Sequence, residues 1–178
     1  NPSEIFLSER ALSASGSVVI PIMEGTRPIL IEVQGLVSPA TYGNPQRNAT
    51  GFDMRRLSML LAILDKRLGY QMGTQDVFVN IVGGLKVDEP SLDLAVVGAI
   101  ASSNRDIPIN PTTVICGEVG LSGEVRSISH LDRRVAEAEK LGFKKIVCPV
   151  QNLKKFKHKT SIELIGVATV HEALQHIL

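Results

Sequence analysis

The most constraining feature of the sequence is a segment between Pro90 and Ser103 that is apolar on almost every side of a helix. A helix without a polar face has to be buried on most sides. Pro90 lies at a first-turn position, where the missing N–H of proline costs no hydrogen bond. The apolar residues of the segment are Leu92, Leu94, Ala95, Val96, Val97, Ala99 and Ile100. We therefore expect the chain to fold around this helix.

The flanking segments predict strands that alternate with helices. Ser17–Met23 and Pro28–Val37 are rich in β-branched residues, and Gly25 between them indicates a hairpin turn. Leucines recur at helical spacing in 52–68, and Gly69 follows as a C-cap. Further strands are expected at 76–82, 112–116, 124–128, 144–149 and 161–165, and further helices at 131–141 and 169–178. This order predicts a single α/β domain with a mixed, α+β-like sheet and right-handed crossovers.

Three segments carry more specific expectations. The first 15 residues mix polar and apolar positions and are expected to be the end of a linker, so that the domain covers 16–178. The polar, proline-containing stretch Ser38–Gly51 is expected to be an irregular loop. Ser129 is the expected N-cap of the helix that begins near Leu131, and Thr169 with Glu172 forms a capping box for the last helix.

Composition excludes several classes of function. Lys plus Arg is 19 and Asp plus Glu is 18, so no global basic field exists to attract nucleic acid. No apolar run approaches the length of a membrane span. The absence of tryptophan argues against a base-stacking platform.

Cys116 and Cys148 are too few for a disulfide framework, and buried, inert thiols are the simplest interpretation. Because the chain starts at Asn1 without an initiator methionine or a signal-like segment, we expect a fragment of a larger cytosolic protein.

Motifs for phosphate or metal binding are absent or mis-spaced. No G-x-x-x-x-G-K-[ST] pattern occurs, and the glycines at 117, 120 and 123 lie between two predicted strands, which indicates a hairpin rather than a dinucleotide fingerprint. His171 and His176 are five residues apart, which turns them roughly 140° from each other on a helix. His130 and His158 are expected at the surface. The sequence therefore predicts no metal site.

Ser91 is the one candidate nucleophile. It opens the buried helix just after a Gly-Gly loop, where helix N–H groups could stabilise an oxyanion. The alternative is that its hydroxyl satisfies the backbone of the first helical turn.

Two long stretches resemble the proteolytic domain of Lon proteases. They are DVFVNIVGGLKVDEPSLDLAVVGAIASS and VICGEVGLSGEVRSISHLDRRVAEAEKLGFKKIVCP. The resemblance implies the Lon proteolytic fold (ribosomal protein S5 domain 2-like) and places Ser91 at the nucleophile position. The position of the activating lysine falls on Asp132, and the Ala-Gly that follows the nucleophile in Lon is Leu-Asp here. A carboxylate cannot replace the amine of a Ser-Lys dyad, so no catalytic residue is expected, although Lys86 is a conceivable substitute base.

The whole chain resembles the C-terminal Lon-like domain of the bacterial RadA (Sms) DNA repair family. The strings that carry this are NPSEIFLSER, EGTRPILIEVQGLV, RNATGFDMRRLSMLLAILDKRLG and VGGLKVDEPSLDLAVVGAI. The resemblance implies an upstream four-cysteine zinc motif and RecA-like ATPase core, so zinc, ATP and magnesium are expected only there. It also implies recombinational repair in the bacterial cytoplasm, at the nucleoid. The Lon-like domain is then a non-proteolytic scaffold for a hexameric ring and for DNA binding.

If this domain contacts DNA, phosphates should be bound by cations that lack acidic partners. The candidates, in loops or at element ends, are Arg27, Arg47, Arg55, Arg56, Lys86 and Arg126. The dense basic run 154–159 is an auxiliary candidate, and each of these cations could instead be an ordinary surface charge. Two alternatives stay open, which are an oligomerisation module without DNA contact and a residual serine peptidase that uses Ser91.

Overall fold

A computed structural model describes all 178 residues of the chain. The strands are β1 (Ser17–Glu24), β2 (Arg27–Pro39), β3 (Arg47–Thr50), β4 (Gln75–Ile81), β5 (Thr113–Ile115), β6 (Glu118–Val119), β7 (Val125–Arg126), β8 (Lys145–Pro149) and β9 (Glu163–Val167). The helices are α1 (Pro2–Leu7), α2 (Met54–Leu68), α3 (Leu92–Arg105), α4 (Leu131–Lys140), α5 (Val150–Leu153) and α6 (Val170–Ile177). A 3₁₀ turn, Met72–Thr74, precedes β4. None of the helices combines the length and the apolar character that a membrane crossing requires.

Seven of the strands form one mixed sheet, in the order β3-β4-β2-β1-β5-β8-β9. Strand β2 is antiparallel to both of its neighbours, and all other neighbouring pairs are parallel. Every strand except β2 therefore ends at the same edge of the sheet, which we call the carboxyl edge. The mixed α/β architecture and the Lon-like fold class expected from the sequence are confirmed.

Helix α3 is the centre of the domain. Every residue from Leu92 to Ser102 is buried, and the helix packs against β1, β2, α2 and α6. Gly35 of β2 permits the close approach, because a Cβ built there would lie 2.9 Å from the backbone carbon of Ala99. The expectation of an all-round buried helix is confirmed.

The first hairpin also agrees with the sequence. Glu24 pairs with Arg27 across a two-residue turn, and Gly25 adopts a φ of 63°. Such turns need a left-handed conformation that glycine adopts without strain.

Several segments differ locally from what the sequence pattern indicates. Ser38–Gly51 is not wholly irregular, because its last residues form the edge strand β3 parallel to β4. The amino-terminal segment contains α1, whose buried Ser3 accepts a hydrogen bond from the Leu30 N–H of β2 at 2.9 Å. The strand expected at 124–128 shrinks to β7, which pairs with β6 across the glycine hairpin.

The start of α4 was also mispredicted. Its N-cap position is His130, in a left-handed conformation with φ 54°, and not Ser129. The oxygens of Ser129 instead accept hydrogen bonds from the Arg134 guanidinium. By contrast, half of the capping box of α6 forms, with the Glu172 N–H donating to Thr169 Oγ1 at 3.1 Å. The Glu172 carboxylate accepts from the Ala168 N–H at 3.1 Å and not from that of Thr169.

Candidate functional site

Ser91 lies at the amino end of α3 with only 2% of its surface exposed. Its Oγ donates a hydrogen bond to Glu89 Oε1 and accepts one from Arg134 Nη1 at 3.2 Å. The hydroxyl makes no capping bond to the helix backbone, so the interpretation of Ser91 as a first-turn cap was wrong. Its two neighbours are a carboxylate and a guanidinium instead.

Arg134 is the residue that sequence reasoning missed. It is almost fully buried, and it donates to the backbone oxygens of Pro21 and Ser129 at 2.8 Å each. It also forms an ion pair with Glu89, whose Oε2 accepts from the Met23 N–H at 2.9 Å. The signal was present in the sequence, because Arg134 falls on the buried face of α4 together with Leu131, Val135 and Ala138.

Asp132, at the expected lysine position, does not reach Ser91. Its carboxylate lies on the half-exposed side of α4, 3.6 Å from His158 Nε2. It forms no hydrogen bond with Ser129, although its place in the first turn of α4 suits the helix dipole. Lys86 is exposed and forms no ion pair or hydrogen bond with Ser91.

The chemistry available to this cluster follows from its partners. A guanidinium stays protonated in proteins and has no lone pair with which to accept a proton. The group nearest to Ser91 on the α4 side is therefore a donor, where a Ser-Lys mechanism needs an acceptor. Ser91, Glu89 and Arg134 form a buried polar network that connects β1, α3 and α4.

A second ion pair lies beside this network. Arg56 of α2 donates from Nε to Asp93 Oδ1 at 2.6 Å and from Nη2 to Oδ2, and Asp93 is fully buried. Burial raises the pKa of Asp93, and the hydrogen bonds from Arg56 and from the Val119 N–H oppose that shift. Hydrogen bonding to Asp93 raises the pKa of Arg56. Arg56 thus has an acidic partner and does not meet the expectation of a cation free to bind phosphate.

A cleft of about 790 Å³ opens next to both clusters, at the carboxyl edge. Its polar wall mixes Asp53, Arg56, Lys86, Asp88 and Glu89. Asp53 caps α2, and the N–H groups of Arg55 and Arg56 hold its pKa below the ordinary value. The cleft presents both signs of charge and is not a simple anion pocket.

The six cations singled out from the sequence differ in their location and in their partners within the protein. Arg27 opens β2, Arg55 opens α2 and Lys86 follows β4, so all three are exposed at the carboxyl edge. Arg126 is exposed in β7 but contacts Glu124 at 3.1 Å. Arg47 starts β3 at the opposite edge, and its guanidinium donates to the backbone oxygens of Gln75 and Met72. Arg56 and Arg126 therefore each have an acidic partner, and the guanidinium of Arg47 is held by backbone oxygens.

The basic run 154–159 follows α5. Its lysines are exposed, and none of them forms an ion pair. Phe156 is half-buried against the core and meets the His158 ring edge-on, with 5.6 Å between centroids. This contact holds the loop against the domain, whereas its lysine side chains are solvated.

No three His, Cys, Asp or Glu side chains converge in a way that could hold a metal ion. Both cysteines are free and buried. Burial raises the pKa of the Cys116 thiol to about 12 and that of Cys148 further still.

A mixed sheet around a buried helix, with a serine at the helix amino end, defines a domain of the Lon-like class. A family profile described as Subunit ChlI of Mg-chelatase matches residues 34–152, two thirds of the chain. The chain belongs to this ChlI family.

The resemblance to RadA proteins expected from the sequence is confirmed. The chain is 53% identical over 175 residues to DNA repair protein RadA of Bacillus subtilis, which covers 98% of the chain and 38% of that protein. It is 48% identical over 178 residues to the RadA protein of Listeria monocytogenes, with 39% of that protein covered. It is 47% identical over 177 residues to that of Streptococcus pneumoniae, with 42% covered. The chain thus spans about two fifths of the length of these relatives.

Proposed function

We propose that this chain is the Lon-like domain of a bacterial DNA repair protein of the RadA family. In this proposal it acts as the scaffold of a ring-shaped homo-oligomer, a hexamer, and holds DNA through its phosphates without reading the sequence. The whole protein, with an ATPase core and a zinc motif, would act in recombinational repair at the nucleoid. The names and high identity of the RadA relatives support the role in repair.

The main support for DNA binding is that three exposed cations lie at the carboxyl edge of the sheet. Lys86 and Arg27 lie there without an ion-pair partner. Arg55 opens α2 at the same edge, with its side chain 95% exposed and only a long contact, 3.9 Å, to Asp53. Flexible, unpaired cations of this kind can displace counterions from a DNA backbone.

Ring assembly would compensate for the weak charge of one chain. The formal net charge is only +1, so a monomer would bind DNA poorly. A head-to-tail interface that closes by rotation would repeat the carboxyl edge around one axis. Repetition of a weak site raises the overall affinity without any new contact.

The buried network argues against a peptidase. The hydroxyl of Ser91 is closed off from a polypeptide substrate, and the guanidinium of Arg134 cannot act as its base. The Glu89 carboxylate, which accepts the hydrogen bond of Ser91, is ion-paired with Arg134. We infer that the inherited nucleophile position now has a structural role. Ser91 should therefore resist a fluorophosphonate probe, and Ser91→Ala should leave any casein cleavage in the preparation unchanged.

The DNA proposal is tested with a charge-reversal pair and a matched control. Arg27→Glu with Lys86→Glu changes two cations at the carboxyl edge. Lys66→Glu with Lys144→Glu makes the same change in net charge with exposed residues at the opposite edge. Affinity for a duplex is measured against salt concentration in full-length protein.

We expect the first pair to lose about two units of salt slope and on the order of tenfold in affinity, while the control stays near wild type. Equal losses in both pairs, or no loss in the first, would refute these phosphate contacts. Light scattering that finds a hexamer without any salt-dependent DNA binding would favour the pure oligomerisation module. A monomer at working concentration would refute the scaffold.

A further inference from the structure

A buried carboxylate lies away from the carboxyl edge, in the middle of β2. Glu32 is only 3% exposed, and its Oε2 accepts a hydrogen bond from Ser17 Oγ at 2.6 Å. Its second oxygen accepts no hydrogen bond, and none of the six ion pairs of the chain involves Glu32. A carboxylate in such surroundings is costly unless a cation or a donor neutralises it.

Arg10 is the cation whose charge acts on Glu32, but its hydrogen bond is made elsewhere and its Nε has no partner. Arg10 interacts with Glu32 only at a distance, and that interaction partly offsets the lowering of the Arg10 pKa by burial. Its guanidinium donates to the backbone oxygen of Pro111 at 3.0 Å and lies over the Phe143 ring, 5.5 Å from the centroid. Glu32 therefore has no ion pair within the chain, although the charge of Arg10 acts on it through space, and its second oxygen is free to accept from an external donor.

Glu32 lines a cavity of about 350 Å³ on the face of the sheet opposite α3. Residues 11–16 form one wall, which is fixed because the Gly16 N–H donates to Ser102 Oγ at 2.8 Å and its carbonyl accepts from the Gly35 N–H at 2.8 Å. A cavity of this size lies in the range that holds small ligands.

The register of β2 and β4 determines which side chains lie next to each other on the floor of the cavity. Leu36 lies beside Phe78, and Gln34 lies beside Asn80 one step nearer to Glu32. Along β2 the side chains therefore change from apolar to amide to carboxylate over about 13 Å. Leu36 is 58% exposed, which is unusual for a leucine in a central strand of a sheet.

We propose that this cavity binds an alkyl cation, a primary ammonium or guanidinium group on a hydrocarbon stem. The charged group contacts the free oxygen of Glu32, and the stem lies over Leu36 and Phe78. A free diamine and a lysine or arginine side chain of a partner polypeptide both carry this chemistry. The proposal does not depend on DNA binding, because Glu32 lies on a different surface from Arg27 and Lys86.

The test is calorimetric titration of full-length protein at fixed ionic strength. The probes are n-butylamine, 1,4-diaminobutane and blocked Gly-Lys-Gly and Gly-Arg-Gly tripeptides, with 1-butanol as the uncharged match. We expect the amines to bind and the alcohol not to bind. Glu32→Gln should weaken amine binding on the order of tenfold or more, whereas Glu24→Gln, an exposed carboxylate at the end of β1, should not.

A second variant still tests the proposal if Glu32→Gln does not fold. Leu36→Ser changes an exposed side chain and should weaken n-butylamine binding while leaving the fold intact. Tighter binding of the tripeptides than of the diamine would identify a side chain as the natural source, and the reverse would identify a free amine. Absence of heat for every cation, or equal affinity of wild type and Glu32→Gln, would overturn the proposal.

Discussion

Arg56 in α2 holds Asp93 in α3 through two parallel hydrogen bonds, and this ion pair attaches the first long helix to the buried one. Asp93 has no exposed surface, and it also accepts from the Val119 N–H at 3.0 Å. The pair therefore links α2, α3 and the glycine hairpin.

Loss of the Arg56 guanidinium should be strongly destabilising. Arg56→Met leaves the buried carboxylate of Asp93 without its cation, which costs about 3–5 kcal/mol of unfolding free energy in comparable cases. Urea unfolding measures the loss. The neighbouring Arg55→Met is the control, because that exposed side chain should change stability by less than about 0.5 kcal/mol. Similar losses for both variants would contradict a special role of the buried pair.

Gly35 should not tolerate a methyl group. The added Cβ would meet the backbone of Ala99, and neither β2 nor α3 can shift without disturbing the core. We expect Gly35→Ala to lower the unfolding free energy by about 1–3 kcal/mol. Gly73→Ala is the match, because that glycine has open space and no positive φ. It should be neutral or slightly stabilising, and thermal melts that rank the two variants in the opposite order would refute the packing argument.

The unfolding free energy of the domain should depend on pH through Asp53. Its pKa is held below the ordinary value by the N–H groups of the first α2 turn. A lowered pKa in the folded state contributes stability above about pH 4, and that contribution disappears as pH falls through the folded pKa. Wild type should therefore exceed Asp53→Asn in stability at neutral pH, with the difference closing in acid. Asp65→Asn, late in the same helix, serves as the control. A difference that stays constant from pH 7 to acid would contradict the titration of Asp53.

The two cysteines should not react with thiol reagents in the native state. Burial raises the pKa of the Cys116 thiol to about 12 and raises that of Cys148 as well, so little thiolate exists near neutral pH. Ellman's reagent should release colour only as the protein unfolds, at a rate equal to that of unfolding followed by another signal. Immediate reaction in native buffer would contradict the burial of both thiols.

The sequence predicted the parts of this fold that local pattern controls. The apolar stretch around Val96 identified the buried helix, and Gly25 and Gly69 identified a hairpin turn and a helix end. Edge strand β3 was missed because four residues of mixed polarity gain their structure only from pairing with β4.

The candidate site was predicted less completely, for a physical reason. The helical pattern places Arg134 on the buried face of α4, but only the tertiary fold brings Arg56 and Arg134 to their acidic partners. The placement of Asp132 at the lysine position was a matter of alignment, whereas the side chain that contacts Ser91 comes from two positions later, on another face of α4.

The contacts of Arg134 also bear on the order of events during synthesis. Its guanidinium joins carbonyl and hydroxyl oxygens from Pro21, Ser91 and Ser129, which are widely separated along the chain. Contacts between distant positions form late, after loop closure has been achieved. The first hairpin and the central helix can therefore associate on the ribosome, but their junction stays open until α4 emerges from the exit tunnel. Nascent chains halted before Arg134 should for that reason be more sensitive to protease than chains halted after α4.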